Sequence, residues 1–389
     1  MRDVVVLDAA RTAIGKSFRG ALTDVRADDL GSTVIAALLA RNDYLQPGDI
    51  SDLYWGCSLP DHSQGYNTAR QVGLLGGLPV TVPAITLSRS CGSALSALRM
   101  AAHAIAVGDG EVYVAGGGDS FSLCLGKGFS PADHHPRFTD TSRPDFINFA
   151  YMEVFDTAEI VAERYGVTRT EMDEFALVSH SRASRAADEG YFAAEIVPFE
   201  LPDGTIFAHD DSPRTDSTLD SLAALRSISP ELGGRVTAGN TCVAGDGAGA
   251  LILASAEWAY KVGAEPLARI AGSSVTGLVP EMMGLGSVPA TRALLDREGM
   301  KSSDVDIVEV HENFAAQVLP VCAELDIDAD QQLNPYGGAI AIGHPPGMTG
   351  ARLVMTLING LAHRDQQIGV ATTCVAGGQG LALMVERLR

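Results

Sequence analysis

Two stretches of the chain share the same order of turn, apolar helix, strand and glycines. In the first, SRSCGSALSALRMAAHAIAVGDGEVYVAGGG at residues 88–118, small and apolar residues continue to Val107 and predict a helix with almost no polar face. A strand from Glu111 to Ala115 follows. The second, GHPPGMTGARLVMTLINGLAHRDQQIGVATTCVAGGQG at residues 343–380, repeats this order. A helix that is apolar on all sides is buried, so we expect it to lie between two sheets.

A second matched pair lies upstream of each stretch. VIAALLARNDYLQPGDISDLYWGCSLP resembles TRALLDREGMKSSDVDIVEVHENFAAQ in its order of helix, turn, acid-rich cap and strand. The equivalent turns are far apart in the chain, which indicates a duplicated half and not a short solenoid repeat. Strands and helices alternate in both halves, and this alternation favours mostly parallel sheets covered by helices.

The composition changes between the two halves. Residues 118–245 are polar and rich in Pro and Asp, apart from one amphipathic tract, TAEIVAERYGVTRTEMDEFALVSHSRASRAADEG. We interpret them as an inserted lobe that caps one face of the core and carries binding residues. The predicted division is residues 1–117 with 246–266 for the N-terminal half, 118–245 for the insertion, and 267–389 for the C-terminal half.

Charge and cysteine content exclude several function classes. The 389 residues carry a formal net charge of −20, which argues against nucleic acid or an anionic membrane as a partner. The N-terminus lacks the pattern of a signal peptide, and no apolar run reaches the ~20 residues of a membrane span. Six cysteines show neither CxxC pairing nor metal-ligand spacing. We therefore expect a cytoplasmic protein with reduced thiols and no metal site.

Two turns that enter helices carry candidate catalytic residues. Cys91 stands where the macrodipole of a helix would lower its pKa, although a buried structural cysteine is the commoner case. His344 lies in GGAIAIGHPPGMTG, where it could take the proton of a thiol or donate to an oxyanion. The alternative for His344 is a helix cap.

Two strand ends carry further candidates. Cys374 ends the apolar strand IGVATTCV, a position where α/β sheets present functional groups, although an inert cysteine is the alternative. His311, in VEVHENFAAQ, follows a strand and precedes a helix. Its neighbours Glu312 and Asn313 could equally serve to cap that helix.

These residues stand in a series of motifs that together resemble the thiolase family. The motifs are VVVLDAARTAIGKSFRGAL, CGSALSAL, AERYGVTRTEMDEFALVSHSRA, VTAGNTCVAGDGAGAL, MGLGSVPATRALL, HENFAAQ, GGAIAIGHPPGMTGAR and TTCVAGGQG, and they extend over essentially the whole chain. The resemblance implies an α/β thiolase fold, in which two similar halves form a five-layer αβαβα stack with an inserted loop domain that binds coenzyme A.

The resemblance also implies roles for individual residues. Cys91 matches the nucleophile that carries the acyl group, His344 the base that activates it, and Cys374 the acid/base that acts on the second substrate. One oxyanion site would be formed by the backbone N–H groups of Cys91 and Ala376. The other would be formed by His344 with His311, directly or through water.

The family's coenzyme A contacts fall on a further set of positions, and some residues depart from the usual pattern. His311 replaces the common Asn, Ala376 replaces a Gly, and Cys242 stands where a serine hydroxyl often holds the pantetheine. These changes leave the acyl chain length and the affinity for coenzyme A open. The implied cofactor-binding residues are Arg214, Ser221, Ala238, Thr241, Cys242 and Phe314.

The resemblance implies an acyltransferase that cleaves 3-ketoacyl-CoA with CoA, or runs the reverse condensation, with no tightly bound cofactor. The implied setting is fatty acid metabolism and β-oxidation. A homodimer or homotetramer is expected, and a complex with a hydratase/dehydrogenase subunit is a further possibility. Two alternatives stay open: a thiolase-like scaffold or acyl-transfer partner subunit without thiolysis activity, and, more remotely, a papain-like hydrolase that uses Cys91 and His344.

Overall fold

A computed structural model describes residues 2–148 and 151–389; Met1, Phe149 and Ala150, the last two within the predicted insertion, lie outside the described residues. The strands are β1 (Val4–Thr12), β2 (Gly15–Lys16), β3 (Ile50–Gly56), β4 (Ala84–Leu87), β5 (Val112–Ser120), β6 (Ile196–Val197), β7 (Phe199–Glu200), β8 (Ile206–Phe207), β9 (Gly245–Ser255), β10 (Ala268–Gly277), β11 (Ile307–Val310), β12 (Ile368–Val375) and β13 (Gln379–Arg387).

The α-helices range from single turns to one of 20 residues. They are α1 (Ala27–Arg41), α2 (Thr68–Leu75), α3 (Ser93–Val107), α4 (Phe121–Cys124), α5 (Val154–Tyr165), α6 (Arg169–Asp188), α7 (Leu219–Ala223), α8 (Ala256–Val262), α9 (Ser287–Glu298), α10 (Ala315–Leu325), α11 (Ala339–Ile342) and α12 (Thr349–His363).

The strands of the two halves form two similar sheets that join at one edge. The first half has the order β4-β3-β5-β9-β1, and the second half has the order β10-β13-β12-β11. The two sheets meet where β1 pairs with β10 in antiparallel register, at Val5 with Arg269 and Val6 with Ala268. In each half, a helix is followed by a 3₁₀ turn and a strand. The helix and strand are α1 and β3 in the first half, and α9 and β11 in the second. The predicted duplication is confirmed.

The prediction of mostly parallel sheets is wrong. Only the pairs that involve β3 and the pair β11–β12 are parallel among the core strands of the two halves. β9 runs antiparallel to both β5 and β1, and β13 runs antiparallel to both β12 and β10. In the second half, a short glycine turn makes β12 and β13 a hairpin, which reverses the chain direction without a crossover helix.

Five layers follow from the alternation of side chains along the strands. In β5, Tyr113 and Ala115 face the central helices, whereas Val112 and Val114 face α1 and α2. In β13, Leu383 faces the central helices and Met384 faces α9 and α10 on the other side. Helices α3 and α12 therefore fill the middle layer, and the order αβαβα predicted from the sequence is confirmed.

The two central helices are buried to different extents. Every residue of α3 from Ser93 to Leu98 is buried, but Met100, His103 and Val107 are exposed, so the prediction of burial on every side holds only for the first half of this helix. α12 is buried along almost its whole length. The first turns of both helices lie at the centre of the molecule.

Strand β5 is longer than the sequence predicts, since it continues through the glycines to Ser120. These glycines are required by close backbone packing. A Cβ on Gly116 would lie 2.1 Å from the carbonyl oxygen of Gly249, and a Cβ on Gly117 would lie 2.1 Å from that of Gly347. Because the glycines have no side chains in the way, the end of β5 lies against the loop that follows α11.

The inserted segment packs its helices α5 and α6 beside α10 on the outer face of the second half. A buried ion-pair cluster ties it to the first half. The Arg11 guanidinium, in β1, donates to Glu195 at 2.8 Å and to Asp210 at 2.7 Å, and all three side chains are almost fully buried. Among the described residues, no helix combines the length and the apolar character that a membrane crossing requires.

Gly350 sets the distance between the two central helices, so we expect Gly350→Ala to destabilise the protein. A Cβ at Gly350 would lie 2.3 Å from the backbone nitrogen of Leu95. Overpacking of this kind costs about 1–3 kcal/mol, and the urea-denaturation midpoint should fall. Gly48→Ala is the matched control, because a Cβ there meets no atom within 4 Å. Equal midpoints for the two variants would contradict the prediction.

Candidate active site

Cys91 and His344 lie in equivalent loops, immediately before the two central helices. Cys91 precedes Gly92, the N-cap of α3, so the thiol lies just outside the helix, in the turn that enters it. The close contact of Leu95 with Gly350 brings the beginnings of α3 and α12 together. As a result, Nε2 of His344 lies 3.3 Å from Sγ of Cys91.

The hydrogen bonds of Thr349 select the tautomer of His344. The Thr349 hydroxyl donates to the carbonyl oxygen of Pro345 at 2.9 Å, and Nδ1 of His344 lies 2.6 Å from the same hydroxyl oxygen. Because the hydroxyl has one proton, Nδ1 must donate to it. Nε2 then presents its lone pair to the thiol of Cys91, which is the arrangement needed to accept a proton.

The His344 loop is held from two directions. Its backbone joins the segment that enters β9, because the His344 amide donates to the carbonyl oxygen of Val243 at 2.7 Å. From the first half, the buried carboxylate of Asp119, at the end of β5, accepts from the amide of Gly347 at 2.5 Å and from the Ser58 hydroxyl at 2.6 Å. These bonds give His344 a rigid setting that both halves of the protein supply.

The expected lowering of the Cys91 pKa is not what the structure indicates. Burial raises the pKa of the Cys91 thiol to about 12, even though the backbone N–H groups of Cys91 and Ala376 face the sulfur and act in the opposite direction. Burial and the nearby Arg352 lower the pKa of His344 to about 3. The resting pair is therefore a neutral thiol beside a neutral imidazole.

His311 lies directly beside His344. Their ring centroids are 4.2 Å apart, with 37° between the planes. His311 is fully buried, and neither ring nitrogen has a hydrogen-bond partner among the residues that the structure describes. Burial, together with His344 and Arg352, lowers the pKa of His311 well below its ordinary value. A neutral imidazole with a free N–H is thus available to a bound molecule.

The alternative of a helix cap at this strand end is not supported. The N-cap of α10 is Phe314, and neither Glu312 nor Asn313 takes that position. The buried carboxylate of Glu312 instead accepts from the Ser179 hydroxyl at 2.6 Å and from the Asn334 amide at 2.8 Å. It connects the inserted helix α6 to the loops of the second half. His344 is not a cap either, since it lies five residues before Thr349, where α12 begins.

Two further thiols, those of Cys374 and Cys242, lie near Cys91. Cys374 is fully buried near the end of β12, and burial together with the proximity of Cys91 raises its pKa. Cys242 is partly exposed, and its pKa is raised by burial and by its closeness to both Cys91 and Cys374. Its Sγ lies 3.2 Å from the side-chain oxygen of Asn313. The structure therefore brings all three cysteines to one site, with Ala376 beside them.

The predicted coenzyme A residues lie in three places. Thr241 and Phe314 form a bridge between the end of the insertion and the loop before α10, close to Cys242. Arg214 lies farther out, in an open groove of about 580 Å³ that Arg185 and His180 also line. The remaining two residues, Ser221 in the capping box of α7 and Ala238, are exposed on the insertion.

Comparison with known proteins identifies the family. Residues 4–257 match the family model for the thiolase N-terminal domain, and residues 264–387 match that for the thiolase C-terminal domain. The chain belongs to the thiolase family. It is 40% identical to a 3-ketoacyl-CoA thiolase of Vibrio vulnificus strain CMCP6, with 100% of both chains covered. It is 41% identical to a 3-ketoacyl-CoA thiolase of Hahella chejuensis, with 100% of this chain and 99% of the relative covered.

A solved thiolase-family structure has the same fold. The crystal structure of the Bacillus anthracis acetyl-CoA acetyltransferase superimposes with a TM-score of 0.90 at 36% identity, over 100% of this chain and 99% of that chain. The protein is accordingly a CoA-dependent acyltransferase of the thiolase family, whose members use CoA substrates without a tightly bound cofactor. Neither a scaffold without thiolysis activity nor a papain-like hydrolase is favoured by a match over the whole chain.

Several residues that shape the site of this thiolase were not predicted from the sequence. Thr349 sets the tautomer of His344, and Asp119 holds the His344 loop. Arg352 and Glu309 form a buried pair at 3.2 Å in the same region. Thr349 lies within the quoted motif GGAIAIGHPPGMTG, so its position five residues after His344 in the sequence was a usable signal. Asp119 and Arg352 act through contacts between distant segments, which no local pattern reveals.

The neutral state of Cys91 predicts a specific pH dependence of its alkylation. With a pKa of about 12, the thiolate fraction of Cys91 should rise about tenfold for each pH unit and show no plateau below pH 10. The rate at which iodoacetamide labels the Cys91 peptide, measured by mass spectrometry between pH 6 and pH 10, tests this. A plateau reached below about pH 8 would instead indicate a stable thiolate–imidazolium pair in the free enzyme.

Proposed function

We propose that this thiolase cleaves 3-ketoacyl-CoA with CoA, and runs the reverse condensation, through an acyl group carried on Cys91. The observation that carries the proposal is the 3.3 Å approach of His344 Nε2 to Cys91 Sγ, with Nδ1 of His344 engaged by Thr349. A histidine held in this tautomer is a base aimed at a single proton. The names of the relatives, 3-ketoacyl-CoA thiolases, support the same substrate class.

In the first half-reaction, the proton of the Cys91 thiol moves to His344 Nε2 while the sulfur attacks the 3-keto carbon. The resulting oxyanion accepts hydrogen bonds from an oxyanion site in this loop region. The bond between C2 and C3 then breaks, and the thiol proton of Cys374 is transferred to C2. Acetyl-CoA leaves, and the shortened acyl group remains on Cys91 as a thioester.

In the second half-reaction, the thiol of an incoming CoA attacks the acyl carbon on Cys91. Its proton passes to the thiolate of Cys374, which restores that thiol. The tetrahedral intermediate then collapses to acyl-CoA, and the sulfur of Cys91 leaves and recovers its proton from His344. We assign one oxyanion site to the backbone N–H groups of Cys91 and Ala376 and the other to His311 with His344. The free ring nitrogens of His311 support the second assignment.

Coenzyme A would lie across the insertion with its thiol end at the cysteines. Arg214, beside Arg185 in the open groove, supplies positive charge for the nucleotide end, as an anionic ligand requires on a protein of net charge −20. Thr241, Cys242 and Phe314 lie where the pantetheine would approach Cys91. We assign Ser221 to the adenosine end and Ala238 to the pantetheine arm.

We also propose an assembly and a cellular setting. The domain division is the one predicted from the sequence: residues 1–117 with 246–266, residues 118–245, and residues 267–389. A homodimer or homotetramer in the cytoplasm is consistent with the family, and His311 supports a complex with a hydratase/dehydrogenase subunit by its likeness to β-oxidation thiolases. Size-exclusion chromatography with light scattering tests the oligomer, and thiolysis rates across 3-ketoacyl-CoA chain lengths test the substrate range.

His311 should contribute to catalysis as a hydrogen-bond donor. We expect His311→Ala to lower kcat by on the order of 10²–10³, as for the loss of one oxyanion donor, while CoA binding survives. His311→Asn is the matched control, because the amide restores an N–H and should recover most of the loss. Steady-state thiolysis assays measure the effect. A change in kcat below about threefold would show that His311 serves packing alone.

Cys91 and Cys374 should separate by half-reaction. Cys374→Ala should still accept an acetyl group from acetyl-CoA onto Cys91, because CoA can leave as a thiolate without a proton from the protein. It should fail in thiolysis and in acetoacetyl-CoA synthesis, because both reactions move a proton at C2. Cys91→Ala, the control, should accept no acetyl group. Intact-mass measurement together with steady-state assays checks both variants. Normal turnover of Cys374→Ala, or acetylation of a different cysteine, would contradict the assignment.

A further inference from the structure

Cys91 and two neighbouring histidines are three residues of the types that commonly bind zinc. One ligand atom each from Cys91, His311 and His344 lies within 4.8 Å of the others. The three residues come from the loops before α3, α10 and α12, so their spacing along the chain gives no metal signature. The absence of such spacing led to the prediction of no metal site, but spacing tests only ligands that are close in sequence.

The hydrogen bonds of the two histidines suit a metal ion. Nε2 of His344 already presents a lone pair towards Cys91, because Nδ1 donates to the Thr349 hydroxyl. Metal-bound histidines commonly have their other nitrogen held by such an outer partner. His311 is fully buried, and both of its ring nitrogens are without a partner among the described residues. A metal at His344 Nε2 would replace only the hydrogen bond from the Cys91 thiol, which loses its proton on binding the same ion, and His311 has no such bond to break among the described residues.

The donor set also indicates which ions would bind. One thiolate with two imidazoles favours a borderline or soft divalent ion, and it disfavours Mg²⁺ and Ca²⁺, which prefer oxygen. Three protein ligands leave a fourth tetrahedral position for water or an added ligand. Cys91 is partly exposed, so an ion can reach the site from the side on which the thiol is open.

We propose that Cys91, His311 and His344 form a binding site for Zn²⁺ or a similar divalent ion, and that this ion is a reversible inhibitor and not a cofactor. Binding replaces the S–H bond of Cys91 with a bond from sulfur to metal, and the released proton passes to the solvent. The metal ion then binds both the sulfur of Cys91, which would attack the substrate, and the lone pair of His344 Nε2, which would accept the thiol proton. His311 is the third ligand, so an Asn at this position would weaken the site.

Co²⁺ provides a readout that does not depend on enzyme activity. Untagged enzyme, purified with chelator and without CoA, is titrated with CoCl₂ while its absorption spectrum is recorded, and competition with ZnCl₂ gives the Zn²⁺ affinity. We expect one equivalent of Co²⁺ to produce a sulfur-to-cobalt charge-transfer band. Cys91→Ser should remove this band. His209→Ala is the matched control, because His209 is an exposed histidine outside the site, and it should change nothing.

Two variants test the histidine ligands and their orientation. Thr349→Val removes the partner of His344 Nδ1 and should weaken Zn²⁺ binding by about 10- to 100-fold, as other outer partners do. His311→Ala should weaken it at least as much, and Zn²⁺ should then fail to protect Cys91 from iodoacetamide. Unchanged affinity in His311→Ala, or a Co²⁺ spectrum without the charge-transfer band in the wild type, would overturn the proposal. Neither result would contradict the proposed thiolysis by Cys91 and His344, which the activity assays test separately.

Discussion

The active site depends on the close packing of the two central helices. At Gly350 the backbone of α12 approaches the backbone of α3 at Leu95 so closely that a single methyl group has no room. This contact brings the first turns of both helices together, and the loops before them carry Cys91 and His344. The sheets on either side then hold the helices in place, since their inward residues form one apolar cluster with both helices. The duplicated fold thus yields one site at the junction of its halves.

Desolvation, and not the helix dipole, decides the state of the Cys91 thiol. A charge at the end of a helix gains about 0.3–1 kcal/mol, and about 2 kcal/mol in favourable cases. Raising the pKa of Cys91 from 9.0 to about 12 corresponds to about 4 kcal/mol against the thiolate. Burial therefore wins by a clear margin. The backbone N–H groups at Cys91 and Ala376 act against this shift but do not offset it.

The sequence was sufficient for the fold and for the four candidate residues that the structure brings together, because both leave local patterns. The paired apolar helices and their glycine turns predicted the duplication, and the motifs around Cys91, His311, His344 and Cys374 indicated residues that the structure brings together. Strand direction was missed, since an antiparallel neighbour such as β9 or β13 has the same apolar composition as a parallel one. The raised pKa of Cys91 was also missed, because burial is a property of the folded protein.

The neutral resting thiol has a consequence for the lifetime of the enzyme. Oxidants such as peroxide react with a thiolate and hardly with a protonated thiol, so susceptibility to sulfenic acid formation follows the thiolate fraction. At Cys91 this fraction is very small at neutral pH, because burial keeps the proton on sulfur. In the mechanism proposed above, His344 removes the proton only while a thioester or ketone is present to accept the sulfur. Although Cys91 is partly exposed, we therefore expect it to react only slowly with such oxidants in the free enzyme.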